Sequence, residues 1–247
     1  MNADVDHPVN PTPALQTRQV PAPRHAVAPR LRLSKGVCER GGRALFEPLS
    51  LDVPAGTLCW IRGANGAGKS TLLRALAGLI EISEGRIAWH DEAGQTQRRL
   101  RAPSLHYIGH LNAANGDLRV GEALAFLAQL HGIDSDAASR RAALSRLGLD
   151  GFERRAVRTL SQGQRRRTAL ARLALTVGAP VWLLDEPYDA LDTDGMRALD
   201  ALLTEHAQRG GCAVFASHVE PGIQIDQVRT LDPLPSGAVR TAAAALA

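Results

Sequence analysis

The sequence predicts an α/β fold with an antiparallel β subdomain near its start and a helical subdomain in its second half. Three observations lead to this prediction. Short apolar runs separated by turn residues fill residues 31–61, as expected of strands. A glycine-rich segment at residues 63–70 lies between an apolar run and a helical pattern. From about residue 118 to residue 175, apolar and polar residues follow the 3.6-residue period of amphipathic helices.

Composition restricts the class of protein before any motif is considered. The 247 residues carry a formal charge of +4, and only 4% of them are aromatic. Mild basicity suits an anionic ligand or a membrane surface, whereas so few aromatic residues disfavour a platform on which nucleic-acid bases stack. The sequence has no run of about 18 to 20 uncharged apolar residues. We therefore expect any membrane association to depend on a partner.

The cysteines and the first residues indicate a compartment. Cys38, Cys59 and Cys212 are scattered and lack metal-ligand spacing, which is typical of reduced thiols in a reducing compartment. The first residues lack a basic region followed by an apolar core, so we expect no secretion signal. A cytoplasmic protein is the simplest interpretation.

The chain divides into three parts by composition. Residues 1–30 are rich in Pro and Ala and poor in large apolar residues, so we expect a disordered extension, because such a segment cannot offset its ordering entropy. Residues 31–232 are predicted to form the folded domain, with its helical subdomain at about residues 115–175. Residues 233–247 are predicted to form a turn and an Ala-rich tail.

The first half of the domain is predicted to mix strands and a helix. Leu31–Val37, Leu45–Val53 and Leu58–Ile61 are expected to be early, antiparallel strands that lead into the glycine-rich segment. Thr71–Leu79 has apolar residues at helical spacing, and Gly85–Trp89 returns to a strand pattern.

The second half is predicted to begin with three helices and to end with buried strands. Val181–Leu184 and Ala213–Ala216 are short apolar runs, expected to be parallel strands on either side of a helix over Met196–His206. The segments with a helical period are GEALAFLAQL at 121–130, AASRRAALSRLGL at 137–149 and QGQRRRTALARLAL at 162–175.

The glycine-rich segment matches the phosphate-binding pattern G-x-x-x-x-G-K-S/T at every fixed position, after a strand and before a helix. Its glycines let backbone N–H groups turn toward phosphates, and the following helix presents its positive end to the same anions. Lys69 is predicted to reach the β- and γ-phosphates of ATP, and the Ser70 hydroxyl to bind Mg²⁺. The alternative, a glycine-rich turn beside a surface lysine, is disfavoured by this combination. The predicted ATP-binding residues here are Gly63, Ala64, Asn65, Gly66, Ala67, Gly68, Lys69, Ser70 and Thr71.

Two carboxylates, Asp185 and Glu186, directly follow the apolar run VWLL. Beside a phosphate loop, Asp185 is predicted to be a Mg²⁺ ligand, and Glu186 to orient and partly deprotonate the attacking water. Taken alone, two acids after a strand more often belong to a solvated strand end. The phosphate loop in the same chain favours the catalytic interpretation.

The segment LSQGQ at residues 160–164 is the pattern that decides the family. It resembles the signature motif LSGGQ of ABC-type ATPases, with Gln162 in place of the first glycine. Alone, such a segment before a helix is a capping box, but the order and spacing of the motifs favour the signature. The resemblance implies that Ser161, Gly163 and Gln164, at a helix N-terminus suited to anions, contact ATP bound to a second copy of the chain.

The resemblance covers about residues 31–220 and adds two further site residues. The segment DALD at 189–192 resembles the D-loop of the family, with Asp192 as its last residue, and His218 resembles the switch histidine after the last core strand. A lone histidine in such a place is more often structural. The resemblance implies instead that His218 contacts the γ-phosphate, and that the fold is a P-loop NTPase core of the ABC ATPase type.

Two positions depart from the family pattern. Where an aromatic residue usually stacks on adenine, this chain has Arg40, whose planar guanidinium can also stack on a base. His110 lies at the position of the Q-loop glutamine, and its imidazole can replace the amide as a hydrogen-bonding group. We therefore expect Arg40 to bind the adenine, and His110 to take the Q-loop role.

The residues at these two positions, together with several other segments, resemble those of the ATPase of the bacterial haem exporter for cytochrome c maturation. The matching segments are CER at 38–40, RALF at 43–46, YIGH at 107–110, LSQGQRRR at 160–167 and HAQRGG at 206–211. The resemblance implies a peripheral subunit at the cytoplasmic face of the bacterial inner membrane, with ATP and Mg²⁺ as cofactors. Its partners would be integral membrane subunits and a second ATPase copy, paired head to tail.

The output implied by the resemblance is haem export or release of a haem chaperone for cytochrome c biogenesis, driven by ATP hydrolysis. No haem-attachment pattern C-x-x-C-H is present, and the other histidines lack ligand spacing, so we expect no direct haem ligation. An ABC ATPase for another solute stays open as an alternative. A third hypothesis, a soluble ABC ATPase linked to nucleic acid, is supported only by the arginines at 165–167. These are better interpreted as a solvated or interdomain helix face. We expect no nucleic-acid partner.

Overall fold

A computed structural model describes residues 29–90, 95–97, 104–110, 115–176, 181–232 and 234. The predicted extension at 1–30 and the predicted tail at 233–247 therefore lie almost entirely outside the described residues. The first strand begins at Pro29, two residues before the predicted start of the domain.

Four strands form the antiparallel subdomain, and a short hairpin precedes the second of them. Leu45 and Phe46 were expected within a strand, but the strand begins only at Leu49. The Leu45 N–H instead donates to the Cys38 carbonyl, and the Phe46 ring is buried in the core. The strands are β1 (Pro29–Val37), β2 (Glu39–Arg40), β3 (Arg43–Ala44), β4 (Leu49–Pro54), β6 (Glu84–His90) and β7 (Thr96–Gln97), in the order β4-β1-β6-β7 with β2-β3 as the hairpin.

A second sheet is parallel and has five strands in the order β11-β5-β10-β9-β8. The predicted antiparallel arrangement of Leu58–Ile61 was wrong, because this strand pairs in parallel with its neighbours on both sides. Two strands of the sheet, at residues 105–108 and 227–231, were not predicted. The first has only four residues, and the second is an edge strand in which polar and apolar residues alternate. The strands are β5 (Leu58–Gly63), β8 (Leu105–Ile108), β9 (Val181–Asp185), β10 (Cys212–Ala216) and β11 (Gln227–Leu231).

Successive side chains of the parallel sheet point to opposite faces, and both faces are covered. Leu184 and Phe215 pack with the helices of the second half of the chain. Leu183 and Val214 pack with the first helix and the antiparallel sheet. A strand buried on both faces reads as a continuous apolar run, which explains why β9 and β10 were recognisable in the sequence.

Five α-helices complete the described part of the chain. All five were predicted, although the third of the helical subdomain becomes a 3-10 turn at Arg172–Leu175 instead of continuing. No helix among these residues has the length and apolar composition needed to cross a bilayer. The helices are α1 (Lys69–Leu76), α2 (Val120–Leu130), α3 (Ala137–Arg146), α4 (Gln162–Ala171) and α5 (Thr193–Gln208).

The topology brings four distant segments to one edge of the sheet. Because β5, β8, β9 and β10 are parallel, their carboxyl ends all point the same way, and ligands bind α/β sheets at that edge. The segments that leave these ends contain the glycine-rich loop, His110, Glu186 and His218.

A half-buried histidine makes the stability of the fold depend on pH. The His131 ring lies 5.0 Å from the His106 ring, centroid to centroid. Burial, and then the positive charge of Arg172, lower the pKa of His131 to about 4. In the unfolded chain this pKa is near ~6.5. The stabilisation by neutral His131 is therefore complete above pH ~6.5, and it is lost as the pH falls toward 4.

We expect the Tm of the wild-type protein to fall between pH ~6.5 and ~4, and the variant His131→Gln to show a smaller fall because its side chain does not titrate. Solvent screening of a half-buried ring limits the difference to about 1 kcal/mol, or about 2 to 4 °C in Tm. Thermal melts of both proteins over this range measure it. Parallel pH profiles for the two proteins would contradict the prediction.

Candidate active site

The loop between β5 and α1 has the conformation of an anion-binding turn. Gly68 precedes the first residue of α1 and has a φ of 94°. A Cβ atom at this position would lie 2.9 Å from the Phe46 ring, so both the backbone conformation and the close packing require glycine. The loop thereby leads directly into the positive end of α1.

Lys69 is the buried cation at the centre of the site. Its Nζ donates to the carbonyl oxygens of Gly63 at 2.8 Å and Ala64 at 3.2 Å. The same atom lies 3.2 Å from His218 Nε2 and 3.9 Å from Glu186 Oε1. The ammonium group therefore joins the loop to two side chains that follow other strands.

Ser70 and Asp185 form a polar pair beside the loop. The Ser70 hydroxyl donates to Asp185 Oδ1 at 2.9 Å. Asp185 is only 1% exposed, and its Oδ2 atom is buried with no hydrogen-bond partner among the described residues. A buried carboxylate oxygen without a partner is costly unless a cation or another donor binds it. The Ser70 hydroxyl and the Asp185 carboxylate could therefore hold a metal ion.

Glu186 follows β9 in a strained conformation. Its φ is 49°, a region that costs a non-glycine residue about 1 to 3 kcal/mol. Its N–H donates to the Ala216 carbonyl at 2.9 Å. The side chain points to His218, whose N–H donates to Oε2 at 3.1 Å and whose Nε2 lies 3.3 Å from Oε1. The strained residue therefore carries a carboxylate that lies beside both His218 and Lys69.

Lys69, Ser70, Glu186 and His218 line one cavity of about 420 Å³, whereas the buried Asp185 does not. Arg40 and His110, the two departures from the family pattern, also line it, and His110 Nδ1 lies 4.0 Å from Asp189 Oδ2. Leu45, Asp189 and Val219 line it as well and were not predicted. The segment DALD contained a signal for Asp189, whereas nothing in the sequence indicated the two apolar residues. The cavity-lining residues are Arg40, Leu45, Asn65, Gly66, Gly68, Lys69, Ser70, Thr71, His110, Glu186, Asp189, His218 and Val219.

The predicted signature residues lie at the start of α4 and do not line this cavity. Ser161 and Gln164 form the capping box, in which Ser161 Oγ accepts from the Gln164 N–H and Gln164 Oε1 accepts from the Ser161 N–H. A Cβ atom at Gly163 would lie 2.5 Å from the Ala190 carbonyl oxygen. Packing within this chain therefore requires glycine at position 163, independently of any ligand.

Asp192 likewise does not line the cavity, although Asp189, three residues earlier, does. It precedes α5 and accepts a hydrogen bond from the Gly195 N–H at 2.8 Å. It also pairs with Arg167 of α4. The predicted D-loop residue thus links the helical subdomain to the start of α5.

The three arginines that follow the signature segment are largely bonded within the chain. Arg166 is 2% exposed. Arg165 donates to the carbonyls of Val157 and Arg158, and Arg167 donates to the Leu147 carbonyl and pairs with Asp192. The prediction of an interdomain helix face agrees with these contacts, and the alternative of a solvated face was wrong for Arg166.

Comparison with known proteins decides the family. The sequence pattern of the ABC transporter family matches residues 46–189. The chain belongs to the ABC transporter family. It is similar to the cytochrome c biogenesis ATP-binding export protein CcmA of Albidiferax ferrireducens, at 43% identity over 195 residues that cover 79% of this chain and 92% of that protein. CcmA of Haemophilus influenzae is 41% identical over 191 residues, which cover 77% and 90%.

Solved structures show the same ABC ATPase fold. A putative ABC transporter ATP-binding protein from Pyrococcus furiosus superimposes with a TM-score of 0.69 at 21% identity, over 81% of this chain and 96% of that one. A nucleotide-free ATP-binding cassette from an ABC transporter gives a TM-score of 0.67 at 18% identity, over 84% and 90%. The predicted fold class and family resemblance are thereby confirmed.

The variant Gly163→Ala is expected to destabilise the ABC ATPase chain even without nucleotide, because the new methyl group would collide with the Ala190 carbonyl. Overpacking of this kind costs about 1 to 3 kcal/mol, seen as a lower Tm. Gln162→Ala is the matched control, since this neighbour on α4 is exposed. Equal Tm values for both variants and the wild-type protein would contradict the contact.

Proposed function

We propose that this chain is the ATP-hydrolysing subunit of an ABC transporter complex that serves cytochrome c biogenesis. The single observation that carries the ATPase proposal is the convergence of Lys69, Glu186 and His218 on one cavity at the carboxyl edge of the parallel sheet. The pathway proposal rests on relatives more than 40% identical over most of the chain, each named as a cytochrome c biogenesis export protein.

ATP binds with its phosphates in the loop from Gly63 to Thr71 and its adenine against Arg40. Backbone N–H groups of the loop and the start of α1 bind the phosphate oxygens. Lys69 exchanges its contacts with the carbonyls of Gly63 and Ala64 for the β- and γ-phosphates. The Arg40 guanidinium stacks on the base, as planar cations do on aromatic rings.

A magnesium ion fits the pair formed by Ser70 and Asp185. The hydroxyl and the carboxylate are hard oxygen ligands of the type that Mg²⁺ prefers, and the buried Oδ2 atom of Asp185 needs a partner. When bound, the ion neutralises charge that develops on the phosphates. The hydrogen bond between the two side chains keeps both oxygens at the edge of the loop.

Glu186 is the base for the hydrolytic step, and His218 is its partner. The carboxylate accepts a hydrogen bond from the water that attacks the γ-phosphate and orients it in line. His218 donates to the γ-phosphate and remains hydrogen-bonded through its main-chain N–H to Glu186. Lys69 stabilises the charge on the transferred group by electrostatic attraction.

Each site is completed by a second copy of the chain. Ser161, Gly163 and Gln164 lie at the positive end of α4, which suits an anion, and they do not line the cavity of their own chain. In a head-to-tail dimer they contact the γ-phosphate of the partner's ATP, and Asp192 belongs to the same interface. Hydrolysis removes that shared anion and separates the copies.

The conformational change of the dimer during ATP hydrolysis is transmitted to integral membrane subunits. His110 takes the Q-loop position and senses the nucleotide from the cavity wall, beside the helical subdomain that faces those subunits. The chain is thus a peripheral protein of the cytoplasmic face of the bacterial inner membrane. The complex exports haem, or releases a haem chaperone, for attachment to c-type cytochromes.

The variant Glu186→Gln is expected to bind ATP normally, to lose turnover by at least about 100-fold, and to accumulate as an ATP-bound dimer. Phosphate release, nucleotide binding and gel filtration with Mg²⁺–ATP measure these outcomes. Glu205→Gln is the control, because this carboxylate pairs with Arg146 away from the cavity. Wild-type hydrolysis rates in Glu186→Gln would reject the assignment of the base.

Deletion of the gene tests the pathway. We expect the cell to lose holo-cytochromes c, detected by haem staining after denaturing electrophoresis, and to keep its b-type haem proteins, because only covalent haem attachment is affected. Complementation by the wild-type gene, but not by the Glu186→Gln gene, is the control. Normal c-type haem staining in the deletion strain would reject the pathway and leave the ATPase proposal intact.

A further inference from the structure

Arg166 is a buried cation that the mechanism above does not use. It lies on α4, and among the described residues its guanidinium donates to three main-chain carbonyls. Nη1 donates to the Gly109 carbonyl at 2.9 Å, and Nη2 donates to the carbonyls of Asp185 and Glu186, both at 2.7 Å. One side chain therefore joins the signature helix, the segment before His110 and the segment that carries the base.

The hydrogen bond from Arg166 to the Glu186 carbonyl helps to hold the strained backbone of Glu186 in place. Glu186 has a positive φ, a conformation that persists only when its surroundings hold it. Its N–H donates to the Ala216 carbonyl, and its C=O accepts from Arg166 at 2.7 Å and from the Asp189 N–H at 3.1 Å. Both sides of the residue are thus anchored, and these three hydrogen bonds fix the backbone from which the carboxylate extends.

Charge keeps the guanidinium in this place. Burial lowers the pKa of Arg166, whereas the carboxylates of Asp189, Asp185 and Glu186 raise it. A buried cation is stable only when it is paired and hydrogen-bonded, and here the carboxylates that attract it lie at or beside the cavity. The planar fork of arginine suits several oxygens at once, which the point charge of lysine does not.

The neighbouring arginines do not share this arrangement. Arg165 donates to carbonyls within the helical subdomain, and Arg167 pairs with Asp192. Arg172, one helical turn and a half further on, donates to the Tyr107 carbonyl in β8. Arg166 and Arg172 therefore bond α4 and its 3-10 extension to β8 and to the segment between β8 and His110.

We propose that Arg166 is a positioning residue for ATP hydrolysis, which aligns Glu186 according to the position of the signature helix and the His110 segment. The inference rests on the proposed function, because it acts through the assigned base. Hydrogen bonds weaken steeply when their geometry is lost. A shift of α4 by about 1 Å, enough to impair catalysis, weakens the bond from Arg166 and leaves the Glu186 carbonyl to the weaker Asp189 contact. The carboxylate is then misdirected, so hydrolysis proceeds only when α4 is packed in its place.

The test uses the ATPase chain purified together with its membrane subunits. Arg166→Gln removes the charge and the fork, and Arg166→Lys keeps the charge. Arg165→Gln is the matched control, with the same change one residue earlier on α4 and contacts only to the helical subdomain. ATP affinity is measured with a fluorescent nucleotide, kcat and KM by phosphate release, folding by thermal melts, and each change is repeated in the Glu186→Gln protein.

We expect Arg166→Gln to lower kcat by about 10- to 100-fold while ATP affinity changes by less than about threefold. Arg166→Lys should recover part of the loss, and Arg165→Gln should keep kcat within about twofold of the wild type. In the Glu186→Gln protein, Arg166→Gln should lower the residual rate by less than about twofold, because a residue that acts through the base has nothing left to align.

Three results with folded variants would overturn the proposal. They are a kcat equal to that of Arg165→Gln, a loss of ATP affinity that matches the loss of kcat, and a full further loss of rate in the Glu186→Gln protein. If neither Arg166 variant folds, Arg166 is a structural residue and the proposal is wrong. A wild-type complex without ATPase activity rejects the proposed function as well, whereas normal c-type cytochromes in the deletion strain reject only the pathway.

Discussion

The parallel pairing of β10 between β5 and β9 is the constraint on which the active site depends. It places the ends of three strands side by side, although the chain between Gly63 and Ala216 passes through the antiparallel sheet and the helical subdomain. Each strand then contributes one functional group at its end. Lys69, Glu186 and His218 come within hydrogen-bonding or ion-pair distance without any local sequence signal that relates them.

The site concentrates charge in a partly buried space, and main-chain oxygens balance much of it. Lys69 is held by two carbonyls of its own loop, and Arg166 by three carbonyls from two other segments. Carbonyl groups at strand ends are free to accept such bonds because the ladder of the sheet has ended. The same edge therefore supplies both the functional side chains and the partners that keep them in place.

The helical subdomain is joined to this edge by polar contacts as well as by an apolar core that it shares with the parallel sheet. Arg166 and Arg172 reach the end of β8, and Arg167 reaches Asp192 at the start of α5. Gly163 allows α4 to approach the Ala190 carbonyl closely. Hydrogen bonds of this kind are directional, so the position of the helices and the geometry of the catalytic segments are physically linked.

The sequence alone determined the phosphate loop, the buried strands, the amphipathic helices and the family, because these depend on local spacing and on apolar periodicity. It also indicated Arg40 and His110 as departures, and both line the cavity. Only the tertiary structure decided that Leu58–Gly63 is parallel, that β8 and β11 exist, and that Arg166 bonds to the Glu186 carbonyl. Strand pairing and side-chain contacts join residues far apart in the chain, and no local pattern encodes which partners will meet.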